Sequence, residues 1–220
     1  ISKVMKKVVL IGATGMVGAA ILKELLSRNY EVKAVVRNVS KLPVDERITP
    51  VEIDVADAEV LAEAMRGADA VISAYNPGWA NPDIVALTDA NYPKILAAAK
   101  QSGVGRLLIV GGAGTLFVAP GLRVVDAGVI PDEIIGAVRA LGNFYLDVLL
   151  AEKAIDWVFF SPAGIFDAEG KRTGTYRLGK DDLIVDAEGN SHISVADYAK
   201  AMVDELETPQ HHQERFTIGY

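Results

Sequence analysis

The stretch Val8-Val9-Leu10-Ile11-Gly12-Ala13-Thr14-Gly15-Met16-Val17-Gly18 decides the fold. Residues 8–11 are a continuous apolar run, the pattern of a strand buried on both faces. Residues 17–28 then place apolar side chains at helical spacing. Between them lies G-x-x-G-x-x-G, which departs from the commoner G-x-G-x-x-G but sits in the strand–turn–helix context such a turn needs. Gly12 permits a tight exit from the strand, Gly15 lets backbone N–H groups approach a pyrophosphate, and Gly18 lets the helix pack close to the sheet. The helix start adds roughly half a positive charge facing the phosphates. A dinucleotide site is expected here, formed by Gly12, Thr14, Gly15, Met16, Val17 and Gly18. The alternative is a tight turn that binds nothing.

Outward from this turn, strands and helices alternate. Strand patterns cover 31–36, 48–53, 70–72, 106–110, 157–160 and 215–219, and helical patterns cover 58–66, 83–101, 132–151 and 195–207. Such alternation builds βαβ units with right-handed crossovers. The expected fold class is α/β: a Rossmann-type, doubly wound, mostly parallel sheet with helices on both faces, in one domain over 1–220. Ligands of such sheets sit beyond the carboxyl ends of the strands, where strand order reverses. Two long loops, 76–82 and 111–131, follow carboxyl ends and are expected to border that cleft as lids. Residues 166–190, rich in glycine and charge, are expected to form a small hairpin cap.

Composition narrows the field. The 220 residues carry a formal charge of −7 and no Lys/Arg-rich block, which argues against a nucleic-acid partner. The absence of cysteine excludes disulfides, thiolate catalysis and zinc–cysteine sites, and suits a cytoplasmic protein. His211 and His212 are adjacent in a polar turn with no other ligands, so no metal is expected. No apolar run reaches the roughly 18 to 20 residues of a membrane span, and no membrane partner is expected. The N-terminus does not read as a signal peptide, because the run 8–11 is too short and no cleavage site follows. Met5 reads as the natural start, with residues 1–4 foreign to it. Homo-oligomers are compatible with all of this.

The end of the second strand bears on the cofactor. An acid there would hydrogen-bond the ribose 2′-OH of NAD. Here Val35-Val36 is followed by Arg37, whose guanidinium suits a 2′-phosphate. NADP(H) is therefore favoured over NAD(H). Asp54, after the third strand, is either a partner for the adenine amine or a turn residue before the next helix.

With these features in view, the chain resembles the atypical short-chain dehydrogenase/reductase group, the NmrA-like and NADH-flavin-reductase-like NAD(P)-binding proteins. The resemblance rests on the glycine turn, Gly111-Gly112-Ala113-Gly114-Thr115-Leu116, Val118-Ala119-Pro120-Gly121 and Asp156-Trp157-Val158-Phe159-Phe160-Ser161-Pro162-Ala163. It continues through Lys171-Arg172-Thr173-Gly174, His192-Ile193-Ser194-Val195-Ala196-Asp197-Tyr198-Ala199 and Arg215-Phe216-Thr217-Ile218-Gly219-Tyr220. It implies that Ser73, Ala74 and Tyr75 line the nicotinamide ribose, and that Gly111 and Gly112 pass under the nicotinamide. It also implies that Pro162, Ala163, Gly164 and Ile165 offer backbone groups to the carboxamide.

Short-chain dehydrogenases, which the chain also resembles, typically use a Ser or Thr, a Tyr acid, and a Lys four residues on that lowers its pKa. Here Tyr145 is followed at that spacing by Leu149, Tyr92 by Leu96 and Tyr198 by Met202. Tyr176 and Lys180 match, but in the glycine-rich 166–190 stretch, where no helix would align them. The hydroxyl position falls near Gly112, and Thr115 is the nearest candidate. Alcohol dehydrogenation by that route is not expected.

Flavin reduction needs no such acid: hydride passes directly to the flavin, and the protein supplies proximity and orientation. The expected activity is NAD(P)H-dependent reduction of a flavin, quinone or similar planar acceptor, with flavin a substrate rather than a bound cofactor. Trp79, Phe117 and Phe166 are candidates to stack on that ring, with ordinary packing as the alternative. His192, the one histidine outside the tail, is a candidate proton donor. Ser194 and Asp197 have the spacing of a helix start. The rival readings are a non-catalytic NmrA-like NADP(H) sensor and an isomerase-, lyase- or epimerase-like relative on the same fold.

Overall fold

A computed structural model describes residues 6–220; Met5 and the four residues before it lie outside the described residues. The first half runs β1 (Lys7–Ile11), α1 (Met16–Ser27), β2 (Glu31–Val36), β3 (Ile48–Glu52), α2 (Ala58–Met65), β4 (Ala70–Ser73), α3 (Ile84–Ser102) and β5 (Arg106–Val110). The second runs β6 (Phe117–Ala119), β7 (Leu122–Arg123), α4 (Asp132–Asn143), β8 (Asp156–Ser161), β9 (Ile165–Asp167), β10 (Arg177–Gly179), β11 (His192–Ser194), α5 (Val195–Glu207) and β12 (Glu214–Gly219).

Eight strands form one sheet in the order β10-β12-β8-β5-β4-β1-β2-β3. Every pairing in it is parallel except β10 against β12. Strand order grows outward from β1 in both directions, so the reversal lies between β1 and β4, beside the glycine turn. The alternation within β1 sends Val8 and Leu10 to one face and Val9 and Ile11 to the other. The first face is covered by α1 and α5, and the second by α2, α3 and α4. Ser194 caps α5 as its spacing implies, its Oγ accepting the Asp197 N–H at 3.0 Å.

Beyond α4, the helical path continues as a π turn over Phe144–Val148 and a 3-10 turn over Leu149–Ala151. The π turn seats Tyr145 on the sheet, its ring stacked on Phe159 at 5.0 Å. The whole run Asp132–Ala151 is long and apolar enough on average to cross a membrane, although Asp132, Glu133, Arg139 and Asp147 interrupt it. In this fold it packs beside α3.

Two loop expectations are corrected. Residues 166–190 make no hairpin with one another: β9 pairs in parallel with β11, while β10 extends the main sheet against β12. Residues 111–131 are not a lid. Their β6 and β7 pair with each other, and Phe117 donates its N–H to the Asp181 carbonyl at 2.8 Å and accepts that of Leu183 at 2.9 Å. Asp181 in turn accepts Arg215 Nε at 3.0 Å.

Arg215 is the physical reason. Its side chain is 1% exposed. It donates to Thr115 Oγ1 at 2.7 Å, to the Thr115 carbonyl at 3.2 Å and to Ser161 Oγ at 3.4 Å, and its guanidinium lies over the Tyr145 ring. A buried guanidinium needs all its N–H groups met. Thr115 supplies two of the acceptors, beside Ser161 and Asp181, and the loop is held down with it.

Candidate dinucleotide site

The three glycines of the turn have separable reasons. Gly12 adopts φ +77°, and a Cβ there would lie 2.6 Å from the Ala74 carbonyl oxygen. A Cβ on Gly18 would lie 1.8 Å from the Gly12 carbonyl oxygen, so helix and turn interlock only without a side chain. Gly15 differs: its backbone is extended and a Cβ would make one ordinary contact, 3.5 Å from Gly12 O. Nothing in the chain itself demands glycine at position 15. The demand fits a ligand approaching from outside. Gly15 is the N-cap of α1, with no side-chain cap and no acid in the first turn. The N–H groups at this helix start are therefore presented to an anion. Residues and backbone here fit the pyrophosphate of a dinucleotide.

Arg37 and Asp54 stand exposed beyond the ends of β2 and β3 on the same side of the sheet. Asp54 also closes its own turn, Oδ1 accepting the Ala56 N–H at 2.9 Å. Beyond β4, the Tyr75 phenol oxygen accepts from Asn91 Nδ2 at 2.8 Å, and its carbonyl accepts the Tyr92 hydroxyl at 2.7 Å. Burial raises the Tyr75 pKa, opposed by the Asn91 hydrogen bond and the Arg37 charge, with Asp54 adding to the rise. Ser73 is buried, and its Oγ accepts the Tyr75 N–H at 3.4 Å. Asn91 was not singled out from sequence; its signal was a lone amide on the buried face of α3.

Gly111 continues β5, its N–H donating to the Phe160 carbonyl at 2.9 Å, and a Cβ there would meet the Phe159 ring at 2.6 Å. A Cβ on Gly112 would lie 3.1 Å from Leu141. The turn after β8 is partly spent: the Gly164 N–H donates to Ser191 Oγ at 3.0 Å and the Ile165 N–H to the Ser191 carbonyl at 2.7 Å. Those two N–H groups, expected for a carboxamide, are occupied. Pro162 and Ala163 are buried beneath them.

The other candidates separate. Thr115 does not serve the cleft: it is 3% exposed and its hydroxyl is engaged by Arg215. Phe117 lies with it, under the Arg123 guanidinium at 4.4 Å. Phe166 packs edge-on against Tyr198 in the α1/α5 core, so its ring is committed to packing. Tyr176 and Lys180 have different partners, Tyr176 meeting Asp204 and Lys200 while Lys180 meets Glu214. His192 lies opposite Ile165 in the β9/β11 pair, with Nε2 3.2 Å from Asp186 and its ring against Tyr220. Trp79 remains at the carboxyl end of β4, in a loop braced by Asn76 and Asn81, and is 55% exposed.

The fold and this turn define a nucleotide-binding Rossmann protein, and comparison with known proteins specifies the group. Residues 12–209 match the family model described as NAD(P)H-binding, and the chain belongs to that family. It is 42% identical over 214 residues to the uncharacterised protein YwnB of Bacillus subtilis (strain 168), covering 96% of this chain and 97% of that one. Among solved structures it is similar to a proposed epimerase from Bacteroides thetaiotaomicron, with 55% identity, TM-score 0.91 and coverage of 98% and 97%. It is also similar to a proposed NADH-flavin reductase from Streptococcus pneumoniae, with 33% identity, TM-score 0.83 and coverage of 97% and 99%.

Proposed function

We propose that this protein is an NAD(P)H-dependent reductase of an apolar planar acceptor, a flavin or quinone, with NADP(H) preferred. The carrying observation is the rim of the cleft. Met16, Trp79 and Ile165 follow β1, β4 and β8 and are 54%, 55% and 60% exposed, apolar side chains beyond carboxyl ends that an aromatic ring could cover. The relative from Streptococcus pneumoniae, described as a proposed NADH-flavin reductase, supports the same reading.

The bound dinucleotide would supply hydride. The turn 12–18 would hold its pyrophosphate, and Arg37 would hold its 2′-phosphate. Gly111 and Gly112 keep the floor beyond β5 free of side chains. The apolar rim would hold the acceptor flat and exclude water, so that the protein contributes proximity and orientation rather than a proton relay. An epimerase, the description given to the Bacteroides relative, would commonly need an acid or base on α4 or the turn beyond it. There Tyr145 is buried against Phe159 and is followed at the lysine spacing by Leu149.

The test is absorbance of the reduced nicotinamide, followed for NADPH and NADH with and without FMN, riboflavin and a quinone. Acceptor-dependent oxidation, faster with NADPH, is expected. Tight NADPH binding with no turnover on any acceptor would replace this reading with that of a sensor. Arg37→Ala should weaken NADPH binding roughly 10-fold or more while changing NADH binding little, as loss of a charge-assisted bond predicts. Equal losses would remove the 2′-phosphate assignment.

A further inference from the structure

The pair β9/β11 stands where two parallel strands of the main sheet end. β9 opens at Ile165, four positions beyond Ser161, the last residue of β8. His192 opens β11 opposite Ile165, and its carbonyl accepts the N–H of Tyr220, the residue after β12, at 3.1 Å. Both ties therefore lie beyond carboxyl ends, since β8 and β12 run parallel. In strand order β5 and β4 separate β8 from β1, while Arg37 and Asp54 lie on the other side of β1, after β2 and β3. A dinucleotide bound through Arg37 and the glycine turn runs toward β4 and β5, and β8 is the next strand. In the small pair, Phe166 and Ile193 enter the α1/α5 core. Ile165 and His192 take the other face, on strands about 5 Å apart, and the imidazole is 41% exposed.

The imidazole is oriented on two sides. Nε2 lies 3.2 Å from Asp186 Oδ2, while Asp186 Oδ1 accepts the N–H groups of Glu188 at 3.0 Å and Asn190 at 2.9 Å. The ring also stands edge-on to Tyr220 at 5.0 Å, whose hydroxyl engages Ser194 and Asp197. A carboxylate oxygen only accepts, so the proton of the neutral imidazole is on Nε2, and Nδ1 keeps a lone pair. Nδ1 has no hydrogen-bond partner among the described residues.

We propose that His192, its tautomer fixed by Asp186, selects substrates that present an N–H or O–H donor at the edge of the planar ring. Ile165 would cover the ring, and Nδ1 would accept from its edge. A flavin carries such donors, in its imide and its ribityl chain, whereas a simple quinone such as menadione carries only carbonyls. His192 is then a specificity residue rather than a proton donor, and Asp186 is a positioning residue acting through it. The proposal rests on the reductase reading above.

Riboflavin and menadione, compared with NADPH as reductant, test it on the alkaline side of neutrality, where an imidazole is neutral. His192→Phe keeps a ring against Tyr220. It should lower the riboflavin-to-menadione ratio of kcat/KM roughly 3- to 10-fold for one hydrogen bond, through the KM for riboflavin. Asp186→Asn can still accept the Glu188 and Asn190 N–H groups, but its amide donates to Nε2 and moves the ring proton to Nδ1. Nδ1 then donates, so kcat/KM should fall for riboflavin and rise for menadione, whose carbonyl gains a partner. Circular dichroism confirms that both variants fold. A merely structural role would lower both substrates alike, and a ratio unchanged in both variants would overturn the proposal. A ratio that falls in His192→Phe while Asp186→Asn matches the parent would overturn the positioning role of Asp186. NADPH affinity, measured by fluorescence without acceptor, would overturn the proposal if His192→Phe weakened it by the same factor as riboflavin, since His192 would then touch the dinucleotide. A parent that reduces neither substrate would instead remove the reductase reading, and this proposal with it.

Discussion

The loops 76–82 and 111–131 leave neighbouring strands at the same end of the sheet, and they end in different places. The first stays at the cleft, folded on itself by Asn76 and Asn81, with Trp79 exposed at its tip. The second is tied down by Arg215, so Thr115 is buried against Arg215 beside Ser161, and Phe117 is paired through its backbone with Asp181 and Leu183. A loop's starting point therefore does not decide its destination. A buried charge that needs partners can decide it, even from 100 positions along the chain.

The largest expected effect is at that charge. Arg215→Met should destabilise the protein by about 2–3 kcal/mol, because Thr115 and Ser161 lose a buried donor. Dinucleotide affinity, measured on the folded variant, should be retained. A loss of affinity at unchanged thermal stability would show that the 111–131 loop serves the cleft after all.

A smaller effect should appear at the foot of the sheet, where polar groups are again tied to one another. Glu205 accepts from Arg106 at 2.8 Å and faces His211 Nδ1 at 2.6 Å. Burial pushes its carboxyl up, but Arg106, His211 and two backbone N–H groups hold it below its ordinary 4.5. Since the folded value is depressed, its stabilisation is complete above pH 4.5 and is lost as pH falls through the folded value. Glu205→Gln should therefore flatten the acid limb of a Tm-against-pH curve. An unchanged limb would show that this carboxylate is not what acid titrates.

The smallest effect on stability should come from the loop that stayed. Trp79→Ala, at an exposed site, should shift stability within about 0.5 kcal/mol. It should raise the KM for a flavin several-fold if the indole covers the acceptor. Unchanged kinetics would take Trp79 out of the site.

The sequence carried the sheet because its signals were local: each strand and helix showed its own periodicity, and Ser194 and Asp197 marked the start of α5 within four residues. The glycine turn was legible for the same reason. The separate roles of its glycines were legible too; the neighbours that crowd them were not, since Gly18 meets the Gly12 carbonyl and Gly12 meets that of Ala74 beyond β4. The anchoring of Thr115 and the Tyr75–Asn91 contact were beyond pattern reading, since each joins residues from different elements. The strand β10 was missed for a related reason: three residues with no apolar alternation gain strand character only by pairing with β12.

The most direct test of the central claim sets Gly15→Ala against the parent in an NADPH titration followed by fluorescence, beside a thermal melt of each without ligand. Gly15 has an ordinary backbone and room for a methyl group in the folded chain. The account predicts melting within about 1 kcal/mol of the parent, the size of an N-cap change, and NADPH affinity reduced about tenfold or more. NADPH bound equally well by both would contradict it, since the turn would then owe its glycine to something other than a dinucleotide.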